Sequence, residues 1–378
     1  MSDVRASFFN SVDEIDSAHW NSLGCGDNIY YTPEFLKAFE TANPDIGFKY
    51  IIIYNGDEPV AFANTQLVSI SVKTITKNIK LAGWLKRTIN KLFSNSKIRI
   101  LFVGNVFLSG EYGTFLKDGE DKIETFKAIA MAIENLMKAT RRLNGIFIKD
   151  FKEESLYITD NLKGFDYAIM QVEPNMIINL KPEWRSFEDY KGALRSKYRV
   201  KANKADSASK GLVAMQFTDN DVAKFNDELQ LLYENTISNA NFNAQVLNLN
   251  TYTNLKAQYH DKFIVKGYFL EDKLVGFLSA MVNQENLDAH FIGLDYSLNK
   301  EHAIYPRILN DYVRLGLENG SERINLGRTA SEIKSTLGAK PENLICYFKH
   351  KITWINHFIK PLASNVKIKS FKEHQPFK

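Results

Sequence analysis

Strand-like and helix-like hydrophobic patterns alternate along the chain. Apolar residues at 50–54 and 60–69 lie on either side of a polar turn, which predicts two strands joined as a hairpin. A further strand is predicted at 101–107. Residues 122–143 place apolar side chains near helical spacing and predict a long helix, which Gly145 ends before the next strand. These patterns are typical of an α/β fold.

The same order recurs in the second half of the chain. Three strands, a helix and one more strand are predicted at 263–270, 274–282, 287–294, 303–317 and 323–326. We interpret the recurrence as an internal duplication, although any two α/β domains can show a similar order. The duplication predicts two domains, 1–165 and 166–378, with an insertion in the first near residues 71–99.

The composition is that of an ordinary globular protein, with 44% hydrophobic and 24% charged residues among 378. Lys and Arg number 48 and Asp and Glu 44, and the net charge of +4 is too small to indicate nucleic-acid binding by itself. The two cysteines, Cys25 and Cys346, lie too far apart in sequence for a CxxC metal pair and form no disulfide framework. Neither a secretory signal nor an uncharged apolar run of 18 residues is present, so we expect a cytoplasmic protein.

The insertion is strongly basic. Between Lys73 and Arg99 there are eight basic residues and no acidic one, while Leu81, Leu85 and Ile89 fall at helical spacing. This pattern predicts a basic amphipathic helix, a form that binds anionic membrane surfaces, and so permits a peripheral location at the inner membrane face. The alternative is a helix that packs its apolar side on its own domain and leaves a solvated basic side.

A second basic segment lies at 191–204, again with no acidic residue. Ser186 and Asp189 form a capping box that predicts the start of a helix before it. A basic helix beside a cleft suits phosphorylated ligands such as nucleotide-sugars, RNA or CoA. A merely solvated helix face explains the pattern equally well.

Several common catalytic motifs are missing from the sequence. It contains no GxxxxGK[ST] phosphate loop, no GxGxxG after a strand, no HExxH and no GxSxG. The seven histidines show no metal-ligand spacing beyond a loose pair, His350 and His357. A kinase, a Rossmann dehydrogenase, a zinc hydrolase and a serine hydrolase are therefore disfavoured, and no metal site or tightly bound cofactor is expected.

A more specific pattern begins near residue 285. Residues 288–295 form a predicted strand leading into a turn, and the helix that follows ends at Gly320. The next strand leads into Gly327-Arg328, and Lys334 and Gly338 follow after a short gap. This order resembles the Fem-type acyltransferases of the GNAT superfamily, which relate to enzymes that add amino acids to peptidoglycan precursors. Two other segments, 101–105 and 195–204, resemble a strand-end motif of the family's first half and the basic helix entering its second half.

The resemblance implies two tandem GNAT-like domains of the α/β (α+β) class, with mixed, largely antiparallel sheets flanked by helices. It also implies an acyltransferase that moves an acyl or aminoacyl group from acyl-CoA or aminoacyl-tRNA to an amine acceptor, either a small molecule or a cell-wall precursor. Two departures are Asn325, where the family often has Asp, and the absence of glycine between Asp295 and Ala303. Because the second departure weakens cradling of a pyrophosphate, the tRNA donor becomes comparatively more credible. The alternative is a non-catalytic ligand-binding module on a degenerate GNAT scaffold.

The family position singles out Lys334, which would bind an acceptor phosphate or carboxylate, or steady the developing negative charge. Arg328, at a strand end, would bind substrate. Asp288 and His290 alternate along one strand and so share a face, and either is a candidate general base.

The remaining candidates are substrate-binding residues. Fixed cations can hold the phosphates or carboxylates of an acceptor, and Arg does so bidentately. We therefore expect a groove in the second domain bounded by Arg328, Lys334 and the basic helix with Arg195, Arg199 and Lys201. Tyr305, near a helix start, is a further candidate, although a tyrosine there is more often part of the core.

Overall fold

The computed structural model describes residues 4–72, 74, 83, 87, 91, 96–239, 244–364, 368 and 370–378. Most of the basic insertion between Lys73 and Arg99 lies outside the described residues, and its predicted helix with it. Among the helices in the described part of the chain, none has both the length and the apolarity needed to cross a bilayer.

The described residues form thirteen strands, numbered in chain order. They are β1 Val4–Phe9, β2 Gly47–Asn55, β3 Glu58–Ser71, β4 Lys97–Val103, β5 Thr114–Leu116, β6 Gly145–Lys152, β7 Ala168–Asn179, β8 Leu212–Gln216, β9 Phe263–Leu270, β10 Lys273–Asn283, β11 Asn286–Leu294, β12 Arg323–Asn325 and β13 Lys340–His350.

The helices are numbered in the same way. They are α1 Ser17–Leu23, α2 Pro33–Ala42, α3 Lys122–Ala139, α4 Leu156–Thr159, α5 Asn161–Gly164, α6 Phe187–Ala193, α7 Ser196–Ala208, α8 Asp219–Lys224, α9 Asn226–Ser238, α10 Asn250–Tyr259, α11 Tyr296–His302, α12 Ile304–Glu318, α13 Ser331–Ser335 and α14 Thr353–Ser364. Short 3-10 turns lie at Val12–Glu14, Ile29–Tyr31, Glu153–Ser155 and His260–Lys262.

The chain forms two compact units. The first contains Met1–Val172, Asn241–Leu247 and Asn343–Ile368, and the second contains Glu173–Ala240, Asn248–Glu342 and Lys369–Lys378. The division therefore differs from two contiguous domains at 1–165 and 166–378. The reason is strand pairing: β13, which follows β12 in sequence, forms an antiparallel ladder with β6 of the first unit.

The first unit contains strands in the order β1-β2-β3-β4-β6-β13. All neighbours are antiparallel except β4 and β6, which are parallel. The connection between these two strands is α3, as a parallel crossover requires. The Asp121 side chain caps α3 by accepting from the amides of Ile123 and Glu124. One apolar stripe of the helix is buried in the core of this unit, at Phe126, Ile129, Ile133, Leu136 and Met137.

The second unit repeats this plan with strands in the order β7-β12-β11-β10-β9-β8. Among the described strands of this unit, one pair is parallel, β11 with β12, and a long amphipathic helix, α12, connects the two strands. The element order predicted from the sequence is therefore confirmed in both halves, as is the mixed, largely antiparallel sheet flanked by helices.

A buried carboxylate ties α12 to the sheet of the second unit. Asp311 is fully buried and accepts hydrogen bonds from Arg307, Arg314 and the hydroxyl of Tyr268, at 3.0, 2.5 and 2.8 Å. The ammonium of Lys266 lies 3.5 Å away. Burial raises the pKa of Asp311, but these three cations more than offset it and hold that pKa below its ordinary value. The carboxylate is thus a charged part of the core.

We predict that Asp311→Asn lowers the free energy of unfolding by about 2 kcal/mol at pH 7, because it removes the buried charge that three partly buried cations share. The measurement is urea denaturation across pH. The advantage of the wild type should be complete above the ordinary carboxyl pKa and disappear as pH falls through the lower folded-state pKa. Asp57→Asn, which changes an exposed carboxylate, is the matched control. Equal stability of Asp311→Asn and wild type at pH 7 would contradict the prediction.

Candidate functional site

The parallel pair β11–β12 is short and ends beside a bulge. The ladder covers three pairs, the last of which is Asp288 with Asn325, and β11 continues to Leu294 while β12 ends. On the other side of β11, the register with β10 shifts, so that His290 and Phe291 oppose a single residue, Ser279. The backbone of β11 therefore changes direction at the point where its parallel neighbour stops.

The bulge is held by one hydroxyl. The Ser279 Oγ donates to the carbonyl of Phe291 at 2.9 Å and accepts from its amide at 3.1 Å. The same Oγ lies 2.7 Å from the hydroxyl of Tyr252, which is fully buried. Because Ser279 forms hydrogen bonds with both the amide and the carbonyl of Phe291, it stabilises the bulge within the strand.

The loop after β12 is fixed by a buried lysine. Lys334 is 6% exposed, and its Nζ donates to the carbonyls of Leu326, Gly327 and Arg328 at 2.7, 3.2 and 2.6 Å. An ammonium has three donors, so these three bonds use all of them. The Asn325 side chain shapes the same loop by accepting from the Gly327 amide at 2.9 Å. The residue that departs from the family's Asp is therefore a turn former here.

Two opposing effects act on the protonation of Lys334. Burial lowers its pKa to about 7, and the nearby carboxylate of Glu173 opposes that shift. The three carbonyls favour the ammonium, whereas the apolar surroundings favour the neutral amine. The pKa of this lysine therefore lies near neutrality, while its ammonium form makes the three bonds that hold the loop.

Asp288 and His290 lie on β11 on either side of the position where the ladder with β12 ends. Asp288 is buried next to Asn325. The His290 ring packs 5.8 Å from the ring of Phe263, and burial lowers its pKa to about 3 although the residue keeps some surface exposure. His290 is thus neutral at physiological pH and weakly basic, which disfavours it as a general base relative to Lys334. The assignment of the base among these residues stays a prediction.

The basic helix lies near the Lys334 loop because of the C-terminal segment 370–378. The Arg195 amide donates to the backbone carbonyl of Pro376 at 2.8 Å, and the Tyr198 hydroxyl lies 3.1 Å from His374 Nδ1. The His374 amide in turn donates at 3.2 Å to Ser335 Oγ, next to Lys334. This segment therefore links the start of α7 to α13.

The other predicted binding residues take different positions. Arg195 and Lys201 are exposed, whereas Arg199 is half-buried. Arg328 is half-buried in the loop that Lys334 holds. Tyr305 is half-buried at the start of α12 against the core of the second unit, and burial raises its pKa. The structure thus brings Arg328, Lys334 and the start of the basic helix into one neighbourhood, with Asp288 at the end of the adjoining ladder.

Sequence reasoning missed a related lysine in the first unit. The parallel pair β4–β6 ends at Val103 with Ile148, and the next residue, Lys149, is buried. Its Nζ donates to the carbonyls of Asn105 and Leu108 at 2.8 and 2.5 Å. In each unit, a buried lysine therefore donates hydrogen bonds to the carbonyls of a loop that follows a central strand: Lys149 after β4 and Lys334 after β12. The available signal was a lysine directly after the apolar run Ile146–Ile148.

The C-terminal contacts were missed as well. Gly338 has a φ of +88°, and a Cβ there would clash with the ring of Phe377. The Phe377 side chain thus occupies the space that this glycine leaves, and Leu194 forms a β-bridge with the same residue. Two aromatic residues, Phe371 and Phe377, in an otherwise polar terminus were the signal in the sequence.

The segment between β11 and α12 supplies its own helix caps. Asp295 accepts from the amide and the hydroxyl of Ser297 at 3.0 and 2.5 Å. This bonding, with Lys273 nearby, lowers the pKa of Asp295. At the start of α12, the Tyr305 amide donates to the Asn299 side chain at 2.8 Å. Within the described residues, no group of three or more His, Cys, Asp or Glu side chains could hold a metal ion.

Comparison with solved structures identifies the fold. The chain resembles FemX, with a TM-score of 0.54 at 10% identity over 92% of this chain and 99% of that one. It also resembles L-PGS from Bacillus licheniformis, with a TM-score of 0.53 at 9% identity over 93% and 98% of the two chains. A tandem GNAT protein from the clavulanic acid biosynthesis pathway gives 0.52 at 8% identity over 92% and 98%.

These likenesses show that the protein has a Fem-like tandem GNAT fold, as the sequence predicted. The identities are too low to show more than the fold. No protein-family model matches the sequence, and no curated protein matches it.

We predict that Lys334→Met lowers the free energy of unfolding by about 1–3 kcal/mol, because buried carbonyls lose their donor. The advantage of the wild type should grow from pH 7 to pH 10, since over that range the unfolded lysine binds more protons than the folded one. Urea denaturation at several pH values measures both effects. The control is Lys181→Met, at an exposed position. A stability difference that does not change with pH would contradict the lowered pKa.

Proposed function

We propose that this protein is an aminoacyltransferase or acyltransferase that moves an acyl group from an activated donor to an amine acceptor. The observation that carries the proposal is the end of the β11–β12 pair, where β11 bulges just beyond the last pair and Lys334 bonds the loop that follows β12. A GNAT-type transfer needs this arrangement more than it needs a nucleophile, since positioning alone can lower the barrier by roughly 7–11 kcal/mol.

The reaction follows from direct attack. The amine nitrogen of the acceptor forms a bond to the acyl carbon, and the bond from that carbon to the donor's oxygen or sulfur breaks. The amine loses a proton to a base, and the leaving group takes one up. In a transfer of this type, backbone N–H groups at the end of a central strand stabilise the oxyanion. Lys334 acts as a positioning residue, because its three hydrogen bonds hold the carbonyls of the loop beside the reacting groups.

Aminoacyl-tRNA is our preferred donor over acyl-CoA. The Asp295 carboxylate caps the start of α11, and the Asn299 side chain occupies the Tyr305 amide. These side-chain oxygens accept hydrogen bonds from the backbone amides that would otherwise bind the pyrophosphate of CoA. On α7, Lys197, Lys201 and Lys204 are all exposed and spaced to share one face. Such a cationic row suits a phosphodiester backbone.

For the acceptor, we propose an amine that carries phosphates or carboxylates, such as a cell-envelope precursor. Arg328 in the loop and Arg195 and Arg199 at the start of α7 are the cations that would hold it. The structures that this chain resembles include FemX and the C-terminal domain of a putative lysylphosphatidylglycerol synthetase from Agrobacterium fabrum, the latter with a TM-score of 0.51 at 12% identity over 92% of this chain and 98% of that one.

The second candidate function is a non-catalytic binding module. Two observations favour a binding module, because each suits a structural role. The pKa of His290 is low, and all three donors of Lys334 bond to backbone carbonyls. Saturation-transfer NMR with acetyl-CoA, together with binding of charged tRNA, separates the two functions. A scaffold that has lost its activity should contact neither donor.

We predict that Lys334→Ala cuts turnover at least tenfold, about 1.4 kcal/mol of transition-state stabilisation. Lys334→Arg should not restore it fully, since a planar guanidinium cannot replace a compact ammonium among three carbonyls. The assay follows release of radiolabelled amino acid from mixed aminoacyl-tRNA, with UDP-linked peptide precursors as acceptors. The rate of the wild type should change near pH 7.

Lys340→Ala, at an exposed position on β13, is the matched control and should retain wild-type turnover. Each variant is checked by its thermal unfolding, because Lys334 also stabilises the loop. Full activity of a folded Lys334→Ala protein would refute the site assignment.

We predict that replacing Lys197, Lys201 and Lys204 together by Gln weakens tRNA binding by about tenfold or more. The dependence of affinity on salt should also become shallower, because fewer counterions are released. Filter binding at two or more salt concentrations measures both. Replacing three exposed lysines elsewhere in this unit, Lys181, Lys300 and Lys340, keeps the net charge matched and should have a smaller effect. Equal loss in both triple variants would argue against a specific tRNA surface on α7.

A further inference from the structure

Helix α14 in the first unit presents its apolar side outward. Trp354 is 66% exposed and Phe358 is 69% exposed, and Ile352, just before the helix, is 47% exposed. With His357, the two aromatic residues form a continuous exposed face, with ring centroids of Trp354 and Phe358 6.5 Å apart. A helix that served only its own core would turn these side chains inward.

A buried asparagine fixes this orientation. Asn356 is 1% exposed, and its Nδ2 donates to the backbone carbonyl and the carboxylate of Asp166 at 2.9 and 2.8 Å. Its Oδ1 accepts from the amide of His350 at 2.8 Å. Rotating the helix to bury the aromatic side would break three hydrogen bonds and leave polar groups buried without partners. The outward apolar face is therefore built into the fold.

Basic side chains border this face. Lys351 donates to the carbonyl of Thr140 at 2.9 Å, which places it at the C-terminal end of α3 beside Arg141 and Arg142. Arg99 donates to the carbonyl of Arg141 at 2.9 Å, and Lys138 is exposed on the last turn of α3. We call Lys138, Arg141, Arg142, Arg99 and Lys351 the basic border.

Acidic residues are sparse in the segments that meet here. The sequence contains no Asp or Glu at 59–110, 135–149 or 343–372. Two carboxylates do approach this region, and both are matched by cations: Glu134 by Lys349 at 2.7 Å, and Asp166 by Lys360 at 2.6 Å. The basic insertion also leaves and re-enters the sheet at this end, because Ser71 pairs with Lys97. The surface is thus apolar in the middle and positive at its edge.

We propose that the α14 face and the basic border form a docking surface for an anionic lipid membrane. Exposed Trp and Phe on an amphipathic helix partition into the headgroup region, and flanking Lys and Arg attract acidic headgroups. A second copy of the chain fits less well, because it would bring two positive borders together. The proposal concerns a surface in the first unit and does not depend on the proposed transfer reaction.

Flotation with lipid vesicles tests the proposal. Wild-type protein should float with vesicles of phosphatidylcholine and phosphatidylglycerol at 70:30, and less with phosphatidylcholine alone. Trp354→Ser with Phe358→Ser should lower the bound fraction at least fivefold without lowering the melting temperature, because both side chains are exposed. The control is Tyr157→Ser with Leu231→Ser, which removes two exposed apolar side chains elsewhere and should bind like the wild type.

A second pair of variants tests the charge. Lys138→Gln with Arg141→Gln, at the C-terminal end of α3, should weaken binding to the anionic vesicles. Lys122→Gln with Lys127→Gln removes the same charge from the other end of the helix and should have little effect.

Three results would overturn the proposal. The first is a wild type that does not float with the anionic vesicles, and the second is equal flotation of the Trp354/Phe358 variant. The third is a combined result: light scattering shows a wild-type dimer that the Trp354/Phe358 variant does not form, and the wild type does not bind vesicles. The aromatic face would then be an interface with a second copy of the chain.

Discussion

The second unit depends on a strand of only three residues. Arg323–Asn325 pairs in parallel with β11 on one side and antiparallel with β7 on the other, so β12 connects the hairpin strands to the rest of that sheet. Pairing continues past this strand only through Met176, which accepts from the Leu326 amide and donates to the Gly327 carbonyl. Lys334 adds a donor to each of the carbonyls of Leu326, Gly327 and Arg328. These three hydrogen bonds help to offset the cost of burying the ammonium.

The same interactions that stabilise the loop also determine the pKa of Lys334. Burial of an ammonium is unfavourable and draws its pKa toward neutrality, whereas the carbonyls keep it in place. The lysine that gives the loop its shape therefore has a pKa near neutrality. The bulge at His290–Phe291, held by Ser279, lies just beyond the point where the ladder of β11 with β12 ends.

The two units share one plan but have diverged in what surrounds it. Both place a long helix between the parallel strands, and both use a buried lysine beside the end of that pair, Lys149 in one and Lys334 in the other. The first unit carries the outward aromatic face of α14, and the second carries the exposed lysines of α7. In our proposals, one unit therefore attaches the protein to a surface while the other performs the transfer.

The sequence alone determined the order of the elements, because hydrophobic periodicity and turn residues are local signals. The repeat and the α3 and α12 helices could be read from it. The resemblance to the Fem-type enzymes supplied the tandem GNAT plan and the choice of Lys334, but not the role of that side chain. Three non-local facts were decided by the tertiary structure: that β13 pairs with β6, that segment 370–378 joins α7 to α13, and that Asn356 turns the aromatic side of α14 outward. Each depends on hydrogen bonds between residues far apart in sequence, and no periodicity along the chain records which distant partner will satisfy a buried polar group.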